Sequence, residues 1–137
     1  MKKDDIRQVS RYKSLKTDDR HKTGSRGEDL AAEYYKSEGY FVAARNYYSR
    51  FGEIDLIVED EKTVVFVEVK VRQKNAGYLP REAVTNAKIN KIKNTAKNYL
   101  FKSRLYSLLQ PRFDVAEIIV DGNGFENAEI NIIKNAF

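Results

Sequence analysis

The chain has 137 residues, with Lys+Arg 25 against Asp+Glu 20, one histidine and no cysteine, for a formal net charge of +5. A chain this long buries roughly two thirds of its unfolded surface, which supports one core but not two. The missing cysteines exclude disulfide scaffolds, thiolate zinc sites and cysteine nucleophiles, and make a reducing cytoplasm the expected setting. A single histidine, His21, leaves little scope for histidine-based catalysis. Apolar runs such as Val64 to Val67 are far shorter than the ~18 to 20 residues of a membrane span, so no membrane association is expected. The charged start Met1-Lys2-Lys3-Asp4-Asp5 lacks the apolar stretch of a secretory leader.

In chain order, residues 1–22 mix scattered apolar side chains (Ile6, Val9, Tyr12, Leu15) with many charges and read as a flexible basic arm. Residues 23–137 read as the folded domain. Ser25 followed by Glu28 has the form of a capping box, which predicts a first helix starting there and running to about Glu38. Leu30, Ala31, Tyr34 and Tyr35 recur along it at helical spacing, and Gly39 supplies its C-cap. Strands follow in close succession: Tyr40 to Tyr47, rich in β-formers, then Gly52 to Val58, then Lys62 to Arg72. Glu59-Asp60-Glu61 is long enough only for a hairpin, so the second and third strands should be antiparallel neighbours.

Pro80 suits the first position of a long second helix reaching about Arg104, with Thr85, Ile89, Ile92, Ala96 and Tyr99 as its core stripe. Pro111 should break the connection to a fourth strand, Arg112 to Val120. A turn at Asp121-Gly122-Asn123-Gly124 then leads to a fifth strand, Ala128 to Lys134. The order αβββαββ, with helices able to cover both faces, predicts an α/β fold around a mixed sheet.

The small net charge conceals opposed segments. Residues 1–22 carry 8 basic and 4 acidic side chains, residues 23–69 carry 5 and 10, residues 70–104 carry 10 and 1, and residues 105–137 carry 2 and 5. A local positive excess of the third kind attracts polyanions at long range, with nucleic acid the first candidate. A solvated lysine-rich helix face is the alternative.

Side chains alternate along a strand, so in the third strand the valines form one face while Glu68, Lys70 and Arg72 form the other. Glu53, Asp55 and Ile57 group in the same way on the second strand. A hairpin pairing Val58 with Thr63 would place Asp55 opposite Phe66 and diagonal to Glu68, within joint reach of one cation. Burying two carboxylates among Ile54, Leu56, Val67 and Val69 is costly unless their charge is offset, and a hard divalent cation with oxygen ligands is one way to offset it. Lys70, two residues beyond Glu68, would add the cation that phosphodiester cleavage needs beside the developing negative charge. The competing reading is the solvated face of a two-stranded ribbon, with Lys70 in cross-strand ion pairs.

The segments Gly52-Glu53-Ile54-Asp55-Leu56-Ile57 and Phe66-Val67-Glu68-Val69-Lys70-Val71-Arg72 resemble the PD-(D/E)xK nuclease core. Further segments, taken in order, resemble the YraN-like family of predicted bacterial endonucleases: Gly27-Glu28-Asp29-Leu30-Ala31-Ala32, Gly39-Tyr40, Arg45-Asn46, Ala83-Val84 with Lys88, Arg112-Phe113-Asp114-Val115 and Asn135-Ala136-Phe137. That family is similar to Holliday-junction resolvases. The resemblance implies a restriction-endonuclease-like fold, a Mg2+ (or Mn2+) cofactor, a DNA substrate of structured or branched form, and a possible homodimer. It implies Asp55 and Glu68 as metal ligands, the carbonyl of Val69 as a further ligand, Lys70 as the catalytic lysine, and Glu28 approaching the metal directly or through water. The capping box also accounts for a Glu at position 28 without chemistry.

Lys88 at the edge of the helix-two stripe, with Lys91 one turn on, and Arg72 beyond Lys70 are the candidate nucleic-acid contacts. Arg72 has Glu53 as an alternative partner. Tyr47, Tyr48 and Tyr78 are candidates for stacking on unpaired bases, or for ordinary packing. Two non-nuclease readings stand beside this one: a nucleic-acid-binding module of the same fold that does not cleave, and a structural interaction domain.

Overall fold

The computed structural model describes residues 19–76, 84–105, 108–122 and 124–137. The expected arm, except its last residues, lies outside that set, as do Pro80 and Tyr78. The elements are α1 (Asp19–Ser37), β1 (Phe41–Ser49), β2 (Gly52–Glu59), β3 (Thr63–Gln73), a 3-10 turn (Lys74–Ala76), α2 (Asn86–Ser103), β4 (Gln110–Asp121) and β5 (Gly124–Ile133). They form the expected mixed α/β arrangement, a five-stranded sheet in the order β1-β2-β3-β4-β5 with two helices, compatible with a restriction-endonuclease-like fold. Only β3 and β4 are parallel, and α2 makes the crossover that a parallel connection requires.

The sheet is covered on both faces, which explains why its central strands read as apolar runs. On one face Ala31, Ala32 and Tyr35 of α1 pack on Val42, Leu56, Val58, Val65 and Val67. On the other, Ile92, Ala96, Tyr99 and Leu100 of α2 pack on Ala44, Ile57, Val64 and Phe66. Odd and even residues of β3 thus go to opposite helices, as the alternation predicts. Among the described residues no helix is long and apolar enough to cross a membrane.

Several local expectations are corrected. Helix α1 begins at Asp19, ahead of Ser25, so Ser25 and Glu28 lie inside a helix and no capping box forms. The box pattern is a local signal, and the cost of Gly24 and Gly27, about 1 kcal/mol each, does not stop a helix that gains from packing. Helix α2 begins at Asn86, because Thr85 is extended and serves as its N-cap, its side chain accepting from the Lys88 N–H. Thr85 is therefore exposed and not part of the core stripe. Pro111 lies within β4, paired with Val64 near the start of the strand, where a missing N–H is tolerated. Strand β5 starts at Gly124, earlier than Ala128.

The hairpin register also differs. Val58 pairs with Val65, not with Thr63, because the Asp60 carboxylate accepts from the N–H groups of Lys62 and Thr63 and sets the turn. The ladder between β2 and β3 holds from Glu59↔Val64 to Leu56↔Val67 and goes no further. Beyond it, β2 continues against β1 and β3 continues against β4, so the sheet forks at Asp55 and Glu68.

Candidate active site

The fork brings Asp55 and Glu68 together. The ladder ends at Leu56↔Val67, so Asp55 and Glu68 are the first residues beyond it on their strands, opposite each other in the extended register and not diagonal as expected. At this point the Asp55 side chain takes over from the backbone, its Oδ2 accepting from the Val69 N–H at 2.9 Å. Faces also change here, since Ile54 belongs to the α2 cluster and Leu56 to the α1 cluster although two residues apart normally share a face. The adjoining strand is irregular at the same level, with Asn46 at φ 50. A left-handed Asn between regular strand residues marks local strain of the sort found at functional sites.

The electrostatics of the fork are unbalanced. Burial pushes the Asp55 carboxyl well above the usual carboxylate range, and repulsion by Glu68 pushes it further; Glu28 and Glu53 add smaller repulsions, against the Val69 hydrogen bond. Glu68 is buried on β3, and its Oε2 lies 3.3 Å from Lys88 Nζ and 3.9 Å from Lys70 Nζ. Lys70 therefore stands beside Glu68. Lys88 reaches the site from α2 and contacts Glu68.

Glu28 arrives from α1, and Gly27 lets it come close. A Cβ at Gly27 would stand 2.6 Å from Val71 Cγ2, so only glycine permits α1 this near β3. Glu28 is buried, and its oxygens are both engaged: Oε1 with Arg45 Nη2 at 3.3 Å and Oε2 with Asn46 Nδ2 at 3.1 Å. Burial raises the Glu28 pKa, opposed by Asn46 and Arg45. Arg45 is itself buried, and also binds Asp29 Oδ1 at 2.6 Å and the Ser25 carbonyl at 3.2 Å. Arg45 and Asn46 thus hold Glu28 facing the fork, a role no local pattern assigned them. The available signal was a cation in the apolar run Ala43-Ala44-Arg45, since a buried guanidinium needs buried anions.

The other candidates are dispersed. Arg72 pairs with Glu117 across the β3–β4 ladder, Nε to Oε2 at 3.7 Å, and not with Glu53. Both line a cleft of about 450 Å3 that continues from Lys70 past Gln73. Lys91 is exposed, and its Cβ would lie 3.5 Å from a Cβ added at Gly52, beside the β1–β2 turn. Lys88, Lys91, Lys97 and Lys102 are all exposed along α2. Tyr47 does not offer a stacking surface, because it is buried, donates to Asn98 Oδ1 and meets the Tyr99 ring edge-on. Tyr48 is exposed.

Two resembling segments prove to be structural. Asp114 is fully buried and accepts from Tyr35 Oη, from Arg112 through two nitrogens, and from the Asn135 N–H. Phe137 stacks on Phe113, which stacks on Phe66. Arg112-Phe113-Asp114 and Asn135-Ala136-Phe137 therefore tie the last residues and α1 to β4, where Asp114 pairs with Val67, one register step before Glu68.

The fork's donor set suits a hard cation in chemistry, with two carboxylates whose mutual repulsion such an ion would relieve. Among the described residues no group of three or more His, Cys, Asp or Glu side chains stands ready to hold a metal. A third protein donor would have to be a backbone oxygen or Glu28 acting through water.

Comparison with known sequences gives one family. A family model described as "Uncharacterised protein family UPF0102" matches residues 27–118. The chain is 43% identical over 117 residues to a UPF0102 protein of Clostridium botulinum (strain Loch Maree / Type A3), covering 83% of this chain and 92% of that one. It is 42% identical over 114 residues to a UPF0102 protein of Persephonella marina, covering 83% and 91%. The matched region contains the whole fork.

Proposed function

For this chain, which belongs to the UPF0102 family, we propose a metal-dependent endonuclease activity on DNA, directed at structured or branched forms. The observation that carries the reading is the fork itself. The sheet opens where Asp55 takes the Val69 N–H, which leaves two carboxylates and Lys70 converging at the end of the β2–β3 ladder.

In this reading Asp55 and Glu68 hold Mg2+ or Mn2+, aided by the Val69 carbonyl, with Glu28 adding charge from α1. The bound ion would supply a polarised phosphate oxygen and a water of lowered pKa. Lys70 lies beside Glu68 and in this reading orients the attacking water and steadies charge on the phosphorane oxygens. Lys88, Lys91 and Arg72 are the phosphate-backbone contacts, spread from the first turns of α2 to the cleft beside Lys70. The acidic fork and the basic helix adjoin, so the opposed charges of the sequence become neighbouring surfaces.

A second reading has its own support. Lys88 and Lys70 already offset Glu68 without any ion, as would suit a binding module that does not cleave. One experiment separates the two. Branched and linear DNA are incubated with wild type and with Asp55→Asn, in Mg2+ or Mn2+. Cleavage by wild type that is lost in the variant supports the nuclease. Salt-dependent binding with equal background cleavage in both proteins supports the module and refutes the nuclease.

A further inference from the structure

We infer that Lys88 is a built-in competitor for the site: its ammonium holds Glu68 until a divalent cation displaces it, and the released lysine then takes a backbone phosphate of the nucleic acid. The inference rests on the metal-dependent reading above.

The position of Lys88 is unfavourable for its own helix. It lies in the first turn of α2, where the helix end carries partial positive charge, and no acidic residue shares that turn. A lysine there breaks the local charge preference, so its compensation must come from elsewhere in the fold. It comes from β3, where the Lys88 ammonium is 3.3 Å from Glu68 Oε2, nearer than Lys70 at 3.9 Å. The Glu68 side chain is 6% exposed and the Lys88 side chain 47% exposed. One partner of the pair is held in the sheet, and the other is half exposed and opens toward solvent.

A cation entering between Asp55 and Glu68 would meet the ammonium at Glu68 Oε2. Like charges at that separation repel, so the lysine and the ion exclude one another, and whatever the pair contributes is subtracted from the affinity for the ion. Once displaced, Lys88 stands at the amide end of α2, a setting that favours phosphate. Thr85 keeps that end ordered, since its hydroxyl accepts the Lys88 N–H at 3.1 Å whichever way the side chain points. Cation and nucleic acid therefore bind with positive coupling, because each makes the other's partner available.

The test uses the full chain. Mn2+ affinity is measured by titration calorimetry for wild type, Lys88→Met, Lys88→Arg and Asp55→Asn, and affinity for a branched DNA is measured by fluorescence polarisation in Ca2+. Lys88→Met is expected to bind Mn2+ about two- to fivefold more tightly, the range set by losing a half-exposed ion pair. It should bind DNA more weakly, and Lys88→Arg should return both values toward wild type. Unchanged or weaker Mn2+ binding by Lys88→Met, with Asp55-dependent binding in wild type, overturns the competitor while leaving the metal site intact. Tighter Mn2+ binding with unchanged DNA affinity overturns the release to phosphate. No Mn2+ uptake by wild type removes both the competitor and the metal-dependent reading.

Discussion

Asp55 is placed at a cost. Its carboxyl is raised in pKa by burial and by three neighbouring acids, and among the described residues its compensating contact is the Val69 N–H. Natural sites often give up stability for chemistry in this way. Asp55→Asn keeps an oxygen for the Val69 N–H and removes the charge. In metal-free buffer at neutral pH the variant should be more stable than wild type by about 1 kcal/mol, a few degrees in Tm for a domain of this size. Addition of Mg2+ should raise the Tm of wild type and leave the variant's unchanged. Thermal unfolding with and without the ion checks this, and a destabilised Asp55→Asn would mean that the carboxylate is structurally favourable. At this scale the sequence was informative where the relation was local. Alternation placed Glu68 and Lys70 on one face of β3 because only the two-residue period was needed. The grip of Arg45 and Asn46 on Glu28 was not legible, since it joins β1 to α1 across 17 and 18 positions and depends on how the helix lies on the sheet.

At the scale of elements, the distance between α1 and β3 decides whether Glu28 faces the fork. Gly27 sets that distance, because any side chain there would run into Val71. Gly27→Ala gains helix propensity of up to about 1 kcal/mol but overpacks a tight contact at about 1 to 3 kcal/mol. The expected net result is a loss of about 1 kcal/mol in denaturant unfolding, with the loss reduced when Val71→Ala is combined with it. Additive effects of the two changes would show that they do not share a contact. Element type and order were readable from apolar periodicity, but boundaries and register were not. The first helix began before its apparent capping box, and the hairpin register depended on the Asp60 carboxylate filling the turn. Turn chemistry of that kind moves a ladder by two residues without changing which face any residue occupies. That is why Glu68 lies on the face of β3 that alternation predicts, whereas Asp55 sits where β2 changes faces, between Ile54 and Leu56, which alternation does not predict.

For the whole molecule, the near-cancelling charges resolve into two surfaces. Acidic side chains from α1, β2 and β3 meet at the fork, and exposed lysines run along α2, whose first turn reaches the same fork through Lys88. The C-terminal residues, by contrast, brace β4 and α1 through Asp114 and the Phe66–Phe113–Phe137 stack. Similar-looking sequence segments thus divide into those that build the fold and those that form the site, a division visible only once side chains are placed. The proposed function requires Asp55 and Glu68 to share a divalent cation. Anomalous diffraction from crystals soaked in Mn2+ tests it most directly. A peak is expected between the two carboxylates, absent in Asp55→Asn crystals soaked identically. Wild-type crystals with no peak there, and with Lys88 still paired to Glu68 at high Mn2+, would contradict it.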